Sequence, residues 1–185
     1  MTMLSIFENT KKAEQLKYEM CWADPAYRNA PKSERRFEMI AYHFKKFNAK
    51  RLIDLGVGTG RLAKLLQGRG FMVTGVDIAG NCLDDDACIE FRQQALWEPI
   101  SGLYDGVICA DTLEHIPTNK VKAVIDNIQR LAPHGYLAIG LNKEKLNPTG
   151  KPLHLTLKTA SWWNEMITFA EVGKTLKGDH AVARY

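Results

Sequence analysis

The stretch Ile53-Asp54-Leu55-Gly56-Val57-Gly58-Thr59-Gly60 decides the fold. Arg51–Leu55 reads as a short strand and residues 60–67 as a helix, so the glycines fall in a strand-to-helix turn. Glycine there lets the backbone turn sharply and approach a ligand with no side chain in the way. Asp77 ends the next apolar stretch, 21 residues beyond Gly56. An acid at that place is suited to accept hydrogen bonds from ribose hydroxyls.

Working outward, short apolar strands over 71–76, 89–92, 105–110 and 135–141 alternate with helical segments. Thr118 is placed to cap a helix with Val121, Val124, Ile125, Ile128 and Leu131 on one face, ended near Pro133. Thr159 or Ser161 opens another, carrying Trp162, Trp163, Met166 and Ile167. The tail reads as strands over 172–176 and 181–185 across a turn at 177–179. Upstream, residues 1–19 form a polar helical pattern and Asp24-Pro25 and Ala30-Pro31 punctuate the chain. Ser33 then caps a helix whose Phe37, Ile40, Ala41 and Phe44 share a face. The expectation is one α/β domain: a Rossmann-like, doubly wound, mostly parallel seven-stranded sheet with a C-terminal antiparallel hairpin. Residues 51–185 make its core and residues 1–50 a helical cap. In such sheets ligands bind at the carboxyl ends of the strands.

Composition agrees with a single globular unit. The 185 residues are 45% hydrophobic and 25% charged, which disfavours disordered, collagenous and coiled-coil classes. No apolar run approaches the ~20 residues of a membrane span, and the N-terminus lacks the apolar core of a signal peptide. Cys21, Cys82, Cys88 and Cys109 show neither metal-ligand nor disulfide-framework spacing, so a reduced, cytoplasmic setting and no metal are expected. The net charge of +4 is unevenly spread: residues 71–120 carry −7, and both flanks are basic. An acidic middle suits a cationic ligand, and basic flanks an anionic partner, although surface scatter gives the same counts.

Two cofactors use a glycine turn followed by an acid. The dinucleotide pattern G-x-G-x-x-G fails at its third glycine, where Arg61 stands. A pyrophosphate wants bare amides and a helix N-terminus, whereas a sulfonium cofactor benefits from carboxylates such as Asp54 and the acids of the middle segment. At these residues the chain resembles the class I S-adenosylmethionine (SAM)-dependent methyltransferases. IDLGVGTG is similar to their first motif and VTGVDIAG to the strand ending in the ribose-binding acid. YDGVICADTLEHI resembles the fourth strand and its sequel, and LAPHGYLAIGL the fifth. The resemblance covers roughly residues 50–185. It implies that Gly56, Gly58 and Gly60 lie under the methionine part of SAM, with Asp54 holding the loop or the amino group. It further implies Asp77 on the ribose, Ile78 beside the adenine and Asp111 on the cofactor and acceptor side. Only eleven residues, 78–88, separate Asp77 from the third strand, so the usual second helix is short or absent. Gln94-Ala95-Leu96-Trp97 stands where many relatives place an acid near adenine, leaving backbone groups with Leu96 or Trp97 for that contact.

Methyl transfer from a sulfonium is an in-line displacement, so aligning the acceptor supplies most of the catalysis. A base is needed only where the acceptor must lose a proton. Candidates are Glu114, His115 and His154, which follow the fourth and fifth strands. His43, His134 and His180 carry no argument for function. In the cap, Tyr18, Trp22 and Tyr27 offer aromatic walls and Arg28 a cation for the SAM carboxylate, against the plain reading of a packed helical lid. Asp24-Pro25-Ala26-Tyr27 falls short of the D-P-P-Y motif of amino-methyltransferases acting on DNA bases, and no Pro-Cys dipeptide marks a cytosine methylase. Asp84-Asp85-Asp86 reads as a solvated acidic run. The function expected is methyl transfer from SAM to oxygen or nitrogen of a small molecule. A nucleic-acid or nucleotide methylase, a SAM-binding module without catalysis and a nicotinamide-cofactor enzyme stand as alternatives.

Overall fold

The computed structural model describes residues 3–144, 147–174 and 179–185. Seven strands form one sheet in the order β3-β2-β1-β4-β5-β7-β6. They are β1 (Arg51–Leu55), β2 (Met72–Asp77), β3 (Glu90–Gln93), β4 (Gly106–Ala110), β5 (His134–Gly140), β6 (Val172–Lys174) and β7 (His180–Arg184). Strands β1 to β5 pair in parallel, while β7 runs antiparallel to both β5 and β6. The antiparallel edge matches the expected hairpin, whose turn lies outside the described residues. Strand order reverses between β1 and β4, which makes their carboxyl ends the place for a ligand.

Six α-helices surround the sheet among the described residues: α1 (Met3–Ala23), α2 (Pro25–Arg28), α3 (Glu34–Lys45), α4 (Arg61–Gly68), α5 (Val121–Leu131) and α6 (Ala160–Met166). Periodicity explains α5, whose Val121, Val124, Ile125, Ile128 and Leu131 are all buried. Each such side chain removed from water contributes about 1.5–3 kcal/mol. Local chemistry explains the starts. Ser33 accepts from Arg36 N–H before α3, and Thr159 from Trp162 N–H before α6. Asp24 caps the short α2, with Pro25 at its first position, so the Asp-Pro pair starts a helix rather than marking a loop. Thr118 opens a 3-10 turn, Thr118–Lys120, and does not cap α5 directly.

The sheet separates two cores. One lies under α5 and α6 and includes Trp163, Leu113 and Leu137; the other lies under α3 and α4 and includes Phe44, Leu66 and Tyr136. No helix forms between β2 and β3. That segment crosses as a loop, and α1 and α2 close over the same end of the sheet. Among the described residues no helix is long and apolar enough to cross a membrane.

Candidate active site

Gly56, Gly58 and Gly60 all take positive φ, of 82°, 52° and 79°. A Cβ on Gly56 would lie 2.3 Å from Thr112 Oγ1, and one on Gly58 3.0 Å from the Trp22 ring. Both conformation and space therefore require glycine at these two positions. The turn is fastened to β2 by Asp77: Gly58 N–H donates to Oδ2 at 3.1 Å and Ala79 N–H to Oδ1 at 3.0 Å. Burial raises the Asp77 pKa even against these bonds. Asp54 is only 3% exposed, and no protein donor reaches its carboxylate among the described residues. Burial first, and then the charge of Asp77, push it up to about 7. Two buried acids side by side with no cation between them favour a positively charged ligand.

Above this turn lies a cleft of about 580 Å³, counted out to its open mouth. Asp77 and Ile78 line it from the end of β2, Asp111, Thr112 and His115 from the end of β4, and Leu96 and Trp97 from beyond β3. Tyr18 and Trp22 of α1 and Tyr27 of α2 complete the wall, with Trp22 and Tyr27 in edge-to-face contact at 5.0 Å. Among the described residues, the lining includes acids and aromatic rings but neither lysine nor arginine.

Arg28 is placed elsewhere than the cofactor role expected of it. Its Nε donates to Trp22 O at 2.9 Å, and its other nitrogens to the carbonyls of Asn81, Cys82 and Leu83 and to Asp84. It clasps the lid to the loop after β2, and Asp84 with Arg28 and Asp86 with Lys64 turn part of the acidic run into ion pairs. A cation does reach one lining residue from outside the lining: Nη1 of Arg36 of α3 lies 2.7 Å from both oxygens of Asp111. His180 Nε2 reaches the same carboxylate at 3.1 Å and its Nδ1 reaches Asp179. Burial opposes ionisation of Asp111, but the His180 hydrogen bond and the Arg36 charge outweigh it and hold the acid well below the usual carboxylate range. The Asp111 hydrogen bond in turn raises the His180 pKa. Asp111 also has φ 54°, a left-handed conformation that is uncommon outside glycine, though aspartate tolerates it better than most residues, and that clusters at functional sites.

Glu114, His115 and His154 come together as their positions in sequence imply. Glu114 is 1% exposed; its Oε1 accepts from Gly140 N–H at 2.7 Å, and its Oε2 is buried without a hydrogen-bond partner among the described residues. His154 Nδ1 lies 2.6 Å from Asn142 O, and the His115 and His154 rings meet edge to face at 4.6 Å. His115 Nδ1 lies 2.8 Å from the Tyr18 hydroxyl and 3.2 Å from Leu153 O. Burial and then Asp111 push Glu114 up to about 8, while burial and then His154 push His115 down to about 3. In water the imidazole holds its proton more tightly than the carboxyl; here the order is inverted. Donor atoms of the three side chains all lie within 4.8 Å of one another, a set whose composition suits a divalent cation. The cysteine spacing that argued against a metal could not register this trio.

Arg36 and His180 escaped the sequence reading. They reach Asp111 from 75 and 69 positions away, and no local motif marks either.

Fold and site define a Rossmann-like domain with a glycine turn, an acid at the end of β2 and titratable groups after β4. A family profile described as "Methyltransferase domain" matches residues 13–167, and the chain belongs to that family. The ubiquinone biosynthesis O-methyltransferase of Idiomarina loihiensis is 30% identical over 168 residues, covering 81% of this chain and 61% of its own length. Another protein of that name, from Rickettsia typhi, is covered over 48% of its length, so the chain spans roughly half to three fifths of these relatives. Among solved structures, magnesium protoporphyrin IX methyltransferase from Synechocystis with bound SAH superposes with a TM-score of 0.65 at 19% identity, over 82% of this chain and 81% of that one. The small RNA methyltransferase HEN1 superposes with a TM-score of 0.65 at 18% identity, over 84% of this chain and 25% of that one.

Proposed function

We propose that the protein transfers the methyl group of SAM to an oxygen of a small, uncharged aromatic acceptor. What carries this reading is the cleft and the turn beneath it: the buried acids Asp54 and Asp77 beside the glycine turn, aromatic rings around the opening and, among the described residues, no lysine or arginine in the lining. SAM fits the first part. Its sulfonium and ammonium groups would supply the positive charge that Asp54 and Asp77 lack, and its ribose hydroxyls would donate to Asp77. Leu96 and Ile78 would flank the adenine. Arg36, freed from Asp111, would meet the SAM carboxylate. The aromatic rings suit a planar acceptor, and the lack of cations in the lining disfavours a phosphate backbone. The relatives named ubiquinone biosynthesis O-methyltransferase support oxygen as the atom methylated.

At the acceptor end, His115 would take the hydroxyl proton and Glu114 and His154 would share it. A second reading is favoured by one observation. A histidine held near 3 is a weak base, while Glu114 presents a buried oxygen with no partner beside two imidazoles. A divalent cation held by Glu114, His115 and His154 would polarise the acceptor oxygen and lower its pKa. It would also favour ionised Glu114.

Release of S-adenosylhomocysteine (SAH) from SAM, with catechol or a short RNA as acceptor, tests the function. Catechol should raise SAH well above the acceptor-free level with little dependence on salt. RNA turnover that falls steeply with salt would replace the small-molecule reading, and SAM binding with no turnover on any acceptor would support a non-catalytic module. Loss of catechol turnover on chelation, restored by a divalent metal, would select the cation over the base.

A further inference from the structure

One acid of the cleft comes from the lid. Glu14 of α1 lines it together with Ile78, Leu96, Trp97 and Ile116. Its side chain is 15% exposed, and its Oε2 lies 2.6 Å from Lys17 Nζ and is buried without a hydrogen bond among the described residues. Lys17 is outside the lining, almost wholly buried, and reaches back to Pro152 O at 3.4 Å. The cleft therefore meets the negative end of this pair. Glu14, Tyr18 and Trp22 share one face of α1 at four-residue spacing, and Trp22 rests against Gly58. Lys11, one turn before Glu14, holds both carboxylate oxygens of Glu98 at 2.7 and 2.8 Å. The helix thus runs the length of the cleft, from the glycine turn to the segment that carries Leu96 and Trp97. That segment is where the adenine of SAM falls in the proposed function, between Ile78 and Leu96. An adenine amino group taken out of water there needs an acceptor. The nearby carbonyls are already engaged: Ile78 O accepts from the Gln93 side chain, Leu96 O from Asn127 of α5, and Ile116 O from Thr156. Trp97 offers through its indole a donor only. Among these five lining residues Glu14 alone brings a carboxylate.

We propose that Glu14 reads the adenine of the cofactor: its carboxylate accepts a hydrogen bond from the 6-amino group, in place of the acid that residues 94–97 lack. The inference rests on SAM as the cofactor and is independent of the acceptor. It gives the lid a second task, since the helix that covers the cleft also completes the adenine site. Glu14 is then the one remote side chain that reads the cofactor at an end otherwise built on the glycine turn and Asp77. A purine with an oxygen at position 6 would set acceptor against acceptor, so the same carboxylate selects adenine over hypoxanthine.

The test is calorimetric titration of the full chain with SAH and with its 6-deamino analogue, in which purine replaces adenine and nothing else changes. The wild type should bind SAH about tenfold more tightly than the analogue, the scale of one hydrogen bond to a charged group. Glu14→Ala should bring the two affinities within about twofold of each other. Lys17→Met breaks the same ion pair but leaves the acceptor in the cleft, and it should keep the tenfold ratio. Lys11→Ala, which loosens the same helix, should keep it too. A role confined to seating α1 would weaken both ligands alike and leave the ratio untouched in every variant. Should Glu14→Ala not fold, Glu14→Gln retains the shape and a neutral acceptor, and its ratio should fall to about threefold. A wild-type ratio near one, or a tenfold ratio that survives in the Glu14 variants, would overturn the assignment alone. Failure of SAH to bind the wild type would overturn the cofactor reading and this assignment with it.

Discussion

The two ends of the cleft are built in different ways. At the end proposed to hold the cofactor the work is done by the backbone and one local connection: three left-handed glycines, a turn, and an acid 21 residues on that ties the turn to the next strand. At the end proposed to meet the acceptor it is done by side chains from remote segments. Tyr18 and Arg36 come from the cap, Asp111, Glu114 and His115 from beyond β4, His154 from beyond β5 and His180 from the edge strand. A backbone cradle can hold one cofactor in proteins of many activities, while a side-chain assembly can change with the acceptor. The two ends should therefore fail separately.

The largest effect is expected at the acceptor end. His115→Ala should lower turnover by about 10²–10⁴-fold while leaving SAH affinity nearly unchanged. Steady-state rates and calorimetry on the same preparation check this, and an equal loss in both would dissolve the distinction between the ends. Next comes Gly56→Ala, which forces a Cβ against Thr112 in a left-handed conformation. Strain and overpacking of about 2–5 kcal/mol should appear as a lower urea midpoint and weaker SAH binding. Adding Thr112→Ala should recover part of that loss, because the clash is with the Thr112 side chain.

How much of this was legible in the sequence follows the same division. The strand-turn-helix around Gly56, the acid at Asp77 and the amphipathic face of α5 are local patterns, and the structure keeps each. The missing helix after β2 was legible too, since eleven residues cannot hold a full turn-helix-turn crossing. Arg28 and Arg36 show where local reading stops. Both are arginines in the same punctuated cap, and only the packing of α2 against the 81–84 loop and of α3 behind β4 assigns one to the clasp and the other to the cleft. His180 looked like a hairpin residue because its partner Asp111 is reached only through the antiparallel pairing of β7 with β5.

A smaller effect concerns pH. Asp54 has a folded pKa raised to about 7, so the folded protein holds its proton more tightly than the unfolded chain does. His180 is also raised, and its contribution is lost as pH passes upward through its folded pKa. Both terms have the same sign, and the melting temperature without ligand should fall between pH 6 and pH 8. Asp54→Asn should flatten the part of that fall below about pH 7. SAM, which brings positive charge to the pair of acids, should flatten it as well. A melting temperature that rises over this interval would contradict the unpartnered state of Asp54. The smallest effect is expected on the surface: Lys122→Ala breaks the exposed pair with Asp126 and should change stability by no more than about 0.5 kcal/mol.

The most direct measurement is a calorimetric titration of SAH into the wild type, Asp77→Ala and His115→Ala. The expected result is a loss of about tenfold or more for Asp77→Ala, the scale of one charge-assisted hydrogen bond, and affinity within about twofold of wild type for His115→Ala. Unchanged affinity in Asp77→Ala, or equal losses in both variants, would contradict a cleft divided into a cofactor end and an acceptor end.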